Sequence, residues 1–134
     1  MSTVKTNTLT GTTTAGSIAV TGEGNSTTTN LQQGLCKAYA THTAAVSVLD
    51  SFNQSSVSDT GTGHFGLNFT SSMANDDYIG SGSNLGSDDS FATGIVSDGA
   101  NILTSRMDYQ FRNYDTVVAT DQDFQRVMTH GDLA

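Results

Sequence analysis

Short runs of alternating apolar residues, separated by turn-forming residues, constrain the fold of this chain more than any other feature. An apolar side chain occupies every second position in "AAVSV" at 44–48, "HFGLNF" at 64–69 and "MDYQF" at 107–111. A period of two places alternate side chains on one face of a β-strand. Stretches such as "DTGTG", "MANDD" and "SDGAN" separate the runs with residues that favour turns. The pattern predicts an all-β chain of short antiparallel strands, arranged as a jelly-roll-like β-sandwich.

The choice of acidic residue supports this prediction. Of the thirteen acids, twelve are Asp and only Glu23 is a glutamate. Asp hydrogen-bonds to nearby backbone and favours turns, whereas Glu is a good helix former. Long helices are therefore not expected. Only "TNLQQGL" at 29–35 and "TDQDFQRVM" at 120–128 are compatible with helix, each as no more than a single turn.

Residues 1–33 differ in composition from the rest of the chain. They are rich in Thr and contain few large apolar side chains: Val4, Leu9, Ile18, Val20 and Leu31. Such a segment cannot bury enough apolar area to offset the cost of ordering its backbone, about 1–2 kcal/mol per residue. It is therefore either disordered or completed by other chains, and the second alternative predicts an extended β arm for attachment and trimerisation. Residues 34–134 are predicted to form the antiparallel β-sandwich domain.

The stretch "SDTGTGHFGLNFT" at 58–70 contains the pattern G-x-G-x-x-G at Gly61, Gly63 and Gly66. In a dinucleotide-binding fold, the last glycine opens a helix whose N-terminus binds the phosphates. An alternating strand pattern follows Gly66 instead, so no cofactor is predicted. The glycines are expected to form a hairpin turn, in which Gly61 and Gly63 adopt positive φ angles.

Other residues with catalytic or metal-binding chemistry are isolated in the sequence. The histidines His42, His64 and His130 lack the spacing of zinc ligands, and the aspartate pairs at 76–77 and 88–89 lack the rest of a calcium loop. No G-x-S-x-G motif marks a nucleophile. The sequence therefore predicts a protein that is not an enzyme, with no catalytic residue, no cofactor and no metal.

The net charge of −8 limits the expected partners. Thirteen acids against five bases give an acidic surface, which repels phosphate backbones and anionic lipid headgroups. No stretch approaches the roughly 18 apolar residues of a membrane span. Neither nucleic acid nor membrane is predicted as a partner. The only cysteine, Cys36, cannot form an internal disulfide, as expected of a protein made in a reducing cytosol.

Aromatic side chains are the candidate surface contacts. Seven of them exceed the number that the alternating pattern would bury: Tyr39, Phe52, Tyr78, Phe91, Tyr109, Tyr114 and Phe124. Tyrosines on the loops of β-sandwiches often stack on sugars or anchor interfaces. Core packing is the default for most of the seven. Tyr78 and Tyr114 lie among polar loop residues and are therefore the predicted surface contacts.

Two longer stretches, "TGEGNSTTTNLQQGLCKAY" and "LDSFNQSSVSDTGTGHFGLNFTSSMANDDY", resemble a known family, together with the closing "HGDLA". The chain is similar to small tail-fibre and virion-surface proteins of phages that infect marine bacteria. The resemblance covers roughly residues 18–80 and 130–134, and its most specific motifs are "NLQQGL", "DSFN" and D-x-GTG-x-F-x-x-NFT. The family often carries a Trp where this chain has Tyr39.

The resemblance implies a structural protein of the phage virion, made in the host cytoplasm and assembled as a homotrimer. The N-terminal arm would attach to other virion proteins, and the β-domain would face outward as a tail fibre or spike that contacts the host surface. A trimeric capsid decoration or head-fibre protein is the first alternative. The second is a carbohydrate-binding module or glycan depolymerase acting on a host surface glycan, for which Tyr78 and Asp88 would be substituted first.

Overall fold

The computed structural model divides the chain into two compact units, Met1–Leu35 and Cys36–Ala134. The structure describes residues 3–13, 18–21, 28–85, 102–113 and 118–133. Each unit has its own strands.

The N-terminal unit contains a short hairpin and one helical turn. Strands β1 (Ala19–Thr21) and β2 (Thr28–Asn30) pair in antiparallel fashion. The four-residue helix α1 (Leu31–Gly34) follows at once, as the segment "TNLQQGL" predicted. The backbone N–H of Leu31 donates to the carbonyl oxygen of Ile18 at 2.8 Å. This bond joins the start of the helix to the hairpin.

The described part of the C-terminal unit is all-β and contains two four-stranded antiparallel sheets. Its strands are β3 (Ala38–Thr43), β4 (Val48–Phe52), β5 (Gln54–Gly61), β6 (His64–Phe69), β7 (Ile79–Leu85), β8 (Ile102–Leu103), β9 (Arg106–Gln110) and β10 (Phe124–His130). The first sheet has the order β4-β3-β10-β7, and the second has the order β5-β6-β9-β8. The prediction of an all-β antiparallel fold is confirmed, and the two sheets are consistent with a β-sandwich.

Strand β10 lies where a helical turn was expected at 120–128, so that prediction is wrong. Gln125, Val127 and Thr129 are buried, and the residues between them are exposed, which is the period of a strand. The strand pairs with β3 on one side and with β7 on the other. Hydrogen bonds to two neighbouring strands satisfy the backbone groups of β10 on both sides. These bonds outweigh the preference of the preceding Thr and Asp residues for capping a helix.

The first and last strands of the C-terminal unit are neighbours. Strands β3 and β10 pair with Ala38 opposite Thr129 and Thr43 opposite Phe124. The backbone N–H of Lys37 donates to the carbonyl oxygen of Thr129 at 2.8 Å, which extends the ladder by one bond. The two ends of this unit therefore meet at the middle of the first sheet.

The two sheets pack their inner faces together to form the core. The first sheet contributes small side chains, and the second contributes the larger ones, so that the buried apolar set includes Ala38, Ala40, Val127, Phe65, Leu67, Met107 and Tyr109. The rings of Phe65 and Tyr109 stack with centroids 5.9 Å apart. Burying a large apolar side chain completely contributes about 1.5–3 kcal/mol. The alternating runs at 64–69 and 107–111 supply this core, as their period predicted.

The glycine-rich stretch forms the hairpin between β5 and β6. Gly61 pairs with His64, and Gly61 and Gly63 have φ angles of 147° and 68°. A strand, not a helix, follows Gly66. The predicted turn and its positive φ angles are confirmed.

The run "AAVSV" forms a turn before it forms a strand. Val46 has a φ angle of 53°, and its N–H donates to the carbonyl oxygen of Thr43 at 2.9 Å. The N–H of Thr43 in turn donates to the carbonyl oxygen of Ser47 at 3.0 Å. Strand β4 therefore begins only at Val48, and the alternation expected over 44–47 is wrong.

A single stretch of chain, 48–61, contributes one strand to each sheet. It turns from β4 into β5 at Asn53, whose φ angle is 51°. The side chain of Asn53 accepts a hydrogen bond from the N–H of Ser71 at 2.7 Å and donates one to its carbonyl oxygen at 3.0 Å. In the described part of the chain, β4 and β5 are the outermost strands of their sheets. This stretch thus forms a continuous edge along the C-terminal unit.

Candidate binding groove

Tyr78 is buried, so the prediction that it is a surface contact is wrong. The residue is 6% exposed, and its hydroxyl lies 3.0 and 2.9 Å from the carbonyl oxygens of Leu103 and Arg106, which accept its hydrogen bond. Burial raises the pKa of Tyr78 to about 12. Gly131 makes room for the side chain, because a Cβ atom there would lie 2.6 Å from the Tyr78 Cβ. A polar loop sequence did not reveal this packing.

Several other predicted residues lie outside the described part of the chain. They are Tyr114, Phe91 and Asp88. Tyr109, one of the seven aromatic candidates, is in the core.

The apolar residues assigned to the N-terminal arm are largely exposed within their unit. Val4, Leu9 and Val20 are 86%, 60% and 51% exposed, respectively. Ile18 and Leu31 are partly buried, and the backbone hydrogen bond described above joins them. The described part of the N-terminal unit therefore buries little of the apolar surface that it carries.

Among the described residues of the C-terminal unit, the exposed aromatic side chains lie on the outer face of the first sheet. Strand β3 alternates buried and partly exposed residues, so Tyr39 and Thr41 point away from the core. Met128 lies opposite Tyr39 in the neighbouring strand, and Arg126 lies opposite Thr41. Phe52 continues the row on the other side of Tyr39. Cross-strand pairing thus places these five side chains on one surface.

A groove runs along this surface because the next strand carries very small side chains. In β7, Ser81 pairs with Met128, Ser83 pairs with Arg126, and Gly82 lies between the two serines. The short serine side chains leave space beside the longer ones on β10. The groove has a volume of about 320 Å³. We call it the outer groove; it is lined by Tyr39, Ala40, Thr41, Ser81, Gly82, Ser83, Arg126, Val127 and Met128.

Two aromatic rings form a platform at one side of the outer groove. Tyr39 and Phe52 stack with their centroids 6.2 Å apart and their planes at 29°. Phe52 is 51% exposed, and Tyr39 is partly exposed. The Tyr39 hydroxyl donates to a carboxylate oxygen of Asp50 at 3.4 Å. The negative charge of Asp50 raises the pKa of Tyr39, so the hydroxyl remains a neutral donor at ordinary pH.

The outer groove also offers charged and hydroxyl groups. Among the described residues, the exposed Arg126 guanidinium has no hydrogen-bond or ion-pair partner, and a guanidinium carries five N–H donors. Beside the groove, opposite Thr41, Asp50 accepts a hydrogen bond from the N–H of Ser51 at 2.9 Å, and its carboxylate oxygens can accept further bonds. The hydroxyls of Thr41, Ser81 and Ser83 can both donate and accept. A ligand in the groove would therefore meet donors and acceptors beside an aromatic surface.

Other kinds of site are not evident in the described part of the chain. It contains no group of three or more His, Cys, Asp or Glu side chains placed to hold a metal ion. No helix in it has the length and apolar character needed to cross a bilayer.

Comparisons with known proteins identify no relative. No family model, no curated protein sequence and no solved structure matches the chain.

Sequence reasoning identified the groove only in part. Tyr39 and Phe52 are among the seven aromatic candidates, but Tyr78 and Tyr114 rank above them because they lie among polar residues. The interpretation of 120–128 as a helical turn includes Arg126, so it did not predict that Arg126 lies opposite Thr41 in a sheet. The alternation of "AYATHT" at 38–43 was the available signal, because it places Tyr39 opposite to Ala38 and Ala40.

Proposed function

We propose that the chain is a structural protein of a phage virion, a trimeric tail fibre or spike. In this proposal the N-terminal unit is an arm that associates with other copies and attaches to the particle, and the β-sandwich of the C-terminal unit faces outward. The protein has no catalytic role. The resemblance carried by "NLQQGL", "DSFN" and D-x-GTG-x-F-x-x-NFT supports the class of protein. The exposure of Val4, Leu9 and Val20 is the observation that carries the assembly.

The hairpin of the N-terminal unit is too small to be stable alone. Strands β1 and β2 have three residues each, and an isolated two-stranded hairpin is at best marginally stable in water. Copies that bring their arms together would bury the exposed apolar side chains and add strand partners. Each side chain the size of Val or Leu contributes about 1.5–3 kcal/mol when fully buried. Three copies together therefore supply the apolar burial and the strand partners that a single arm lacks.

The continuous edge at 48–61 favours association of the C-terminal unit as well. The outer backbone groups of β4 and β5 have no strand partner among the described residues. Strand β4 exposes Val48, Leu49 and Phe52 and contains neither Pro nor Lys, the residues that commonly protect an edge. A closed ring of copies removes such edges.

Multi-angle light scattering of the purified protein tests the assembly. We expect a mass of three times 14.0 kDa at micromolar concentration, because the arm is completed only by other copies. A fragment containing residues 34–134 should be folded but should associate only weakly, because it lacks the arm. A mass near 14.0 kDa for the full chain, or a fragment that is as trimeric as the full chain, would contradict the proposal.

Reconstruction of an intact particle tests the location. Density for the protein on the tail is the expected result. Density on the capsid lattice would instead assign it as a decoration or head-fibre protein. Absence from both positions would contradict a virion role of either kind.

A further inference from the structure

We propose that the outer groove binds an uncharged glycan, with one sugar ring stacked on Tyr39 and the sugar hydroxyls bound by Arg126 and the neighbouring hydroxyl side chains. The inference rests on the proposed outward-facing role of the C-terminal unit for its biological meaning. Its physical basis is the groove itself, which combines an aromatic platform with donors and acceptors over about 320 Å³.

The shape of the groove fits a sugar ring. Pyranose rings present an apolar C–H face, which packs against the face of an aromatic ring. Tyr39 is held in place by Phe52 on one side and by its hydrogen bond to Asp50. The small side chains of Ser81 and Ser83 keep the opposite wall low. The ring can therefore rest on Tyr39 while its edge reaches into the groove.

The polar groups of the groove fit hydroxyls better than a charged group. Arg126 offers several N–H donors, and the serine and threonine hydroxyls can both donate and accept. Asp50 does not line the groove, but it lies beside Thr41 and the Tyr39 hydroxyl and offers a carboxylate acceptor there. Vicinal sugar hydroxyls donate and accept in the same way, so such a ligand can satisfy both kinds of group. A polyanionic glycan would be repelled by the net charge of −8 and by Asp50. An uncharged glycan avoids this repulsion.

A second copy of this chain is a weaker occupant. An obligate interface between copies excludes water from apolar surface, whereas Thr41, Ser81 and Ser83 place three hydroxyls in the groove. The open, hydroxyl-lined groove is therefore assigned to a glycan, and the association of copies is assigned to the N-terminal unit and the edge at 48–61.

The test is a titration of the full-length, isotope-labelled protein, followed through its backbone amide NMR signals. The probes are three uncharged tetrasaccharides (maltotetraose, cellotetraose and mannotetraose), with tetragalacturonate as the charged comparison. We expect at least one uncharged probe to shift the amide signals of β3, β7 and β10, and tetragalacturonate to bind at least about tenfold more weakly. No shift in these strands with any uncharged probe, or stronger binding of tetragalacturonate, would overturn the proposal.

Substitutions then assign the binding to the outer groove. Tyr39→Leu removes the stacking surface, and Arg126→Gln removes the donors; each should weaken the best probe by about tenfold. The matched controls are Phe124→Leu, an exposed aromatic that does not line the groove, and Arg112→Gln, which makes the same change of charge away from the groove. Controls that weaken binding as much as the groove variants would contradict the assignment.

A third variant keeps the test decisive if Tyr39→Leu does not fold. Ser81→Tyr should fill the groove from strand β7, where Ser81 is exposed, and abolish binding without removing a core side chain. Unchanged affinity in folded Ser81→Tyr protein would overturn the proposal. Light scattering on the unsubstituted protein separates the outcomes: a trimer that binds none of the uncharged probes rejects only the groove, whereas a monomer that binds glycan rejects only the proposed assembly. A groove that binds glycan only after residues 1–33 are deleted would show that the N-terminal unit, of the same copy or another, covers it in the full-length protein, and would also overturn the inference.

Discussion

Gly63, in the turn between β5 and β6, is hydrogen-bonded to two other segments of the chain, one at Phe111 and one at Asp121. Its N–H donates to a carboxylate oxygen of Asp121 at 2.6 Å, and its carbonyl oxygen accepts a hydrogen bond from the N–H of Phe111 at 2.8 Å. A Cβ atom at this position would lie 2.5 Å from the backbone nitrogen of Thr120 and 2.7 Å from the carbonyl oxygen of Phe111. The backbone at Gly63 therefore approaches two other chain segments more closely than any larger residue allows.

We expect Gly63→Ala to lower the free energy of unfolding by about 3 kcal/mol, because it combines a positive φ angle with a backbone clash. Urea denaturation followed by circular dichroism measures the change. Gly61→Ala is the control: that position also has a positive φ angle, but a Cβ atom there would meet no other atom within 4 Å. A decrease in the free energy of unfolding for Gly61→Ala as large as that for Gly63→Ala would contradict the expectation that the clash makes Gly63→Ala the more destabilising substitution.

His42 is a buried polar residue on the inner face of the first sheet. Its Nδ1 lies 2.8 Å from the carbonyl oxygen of Thr43, which can only accept, so Nδ1 carries the proton. Its Nε2 then accepts a hydrogen bond from the Tyr109 hydroxyl at 2.5 Å. Burial lowers the pKa of His42. The fold therefore holds this imidazole in its neutral form.

This arrangement predicts that stability depends on pH. A base whose pKa is lowered by folding binds more protons in the unfolded chain, so its contribution is complete above about pH 6.5 and is lost as the pH falls below that value. We expect the melting temperature to fall between about pH 7 and pH 5, and His42→Gln to reduce that fall. His130→Gln, which leaves the buried imidazole in place, is the control. An unchanged pH dependence in His42→Gln would contradict the assignment.

At the scale of elements, the corner at Asn53 allows one stretch of chain to serve both sheets. Its side-chain amide bonds to both the N–H and the carbonyl oxygen of Ser71, as the backbone of a neighbouring strand would do. The carbonyl oxygen of Asn53 also accepts a hydrogen bond from the N–H of Thr70 at 3.2 Å. Asn tolerates the left-handed conformation better than most residues with side chains. Residue type and backbone geometry therefore agree at this corner.

We expect Asn53→Ala to destabilise the protein by about 2–3 kcal/mol, since it loses two side-chain hydrogen bonds and retains a strained φ angle. Asn53→Gly loses the same bonds but relieves the strain, so it should cost about 1 kcal/mol less. Chemical denaturation of the two variants measures the difference. Equal losses would show that the backbone conformation of this corner is not strained.

The sequence predicted the strands whose apolar period is complete and missed those whose pattern is mixed. The runs at 64–69 and 107–111 form core strands, because every second side chain in them is large and apolar. Strand β10 was missed because its buried face carries Gln125 and Thr129, and their partners lie far away in the chain. The outer groove was missed for the same reason. It depends on the register among β3, β10 and β7, which no local pattern contains.

At the scale of the whole molecule, the two units differ in how far they bury their apolar side chains. The core of buried side chains belongs to the C-terminal unit, from Ala38 to Val127. The N-terminal unit leaves Val4 and Leu9 exposed. Removing residues 1–33 should therefore change the mass measured by light scattering much more than the melting temperature of the remaining fragment. The proposed assembly requires this result, because it assigns association to the N-terminal unit and the stable core to the C-terminal unit.

The pairing of β3 with β10 also determines how the C-terminal unit responds to mechanical force. Because Ala38 and Thr129 lie side by side, tension applied at both ends of the unit acts across the ladder and opens its hydrogen bonds one after another, as a zipper opens. Strands loaded in shear would have to break all of those bonds together. A copy tethered through only one end carries no tension across this ladder, whereas a copy pulled from both ends would begin to unravel at the centre of its first sheet.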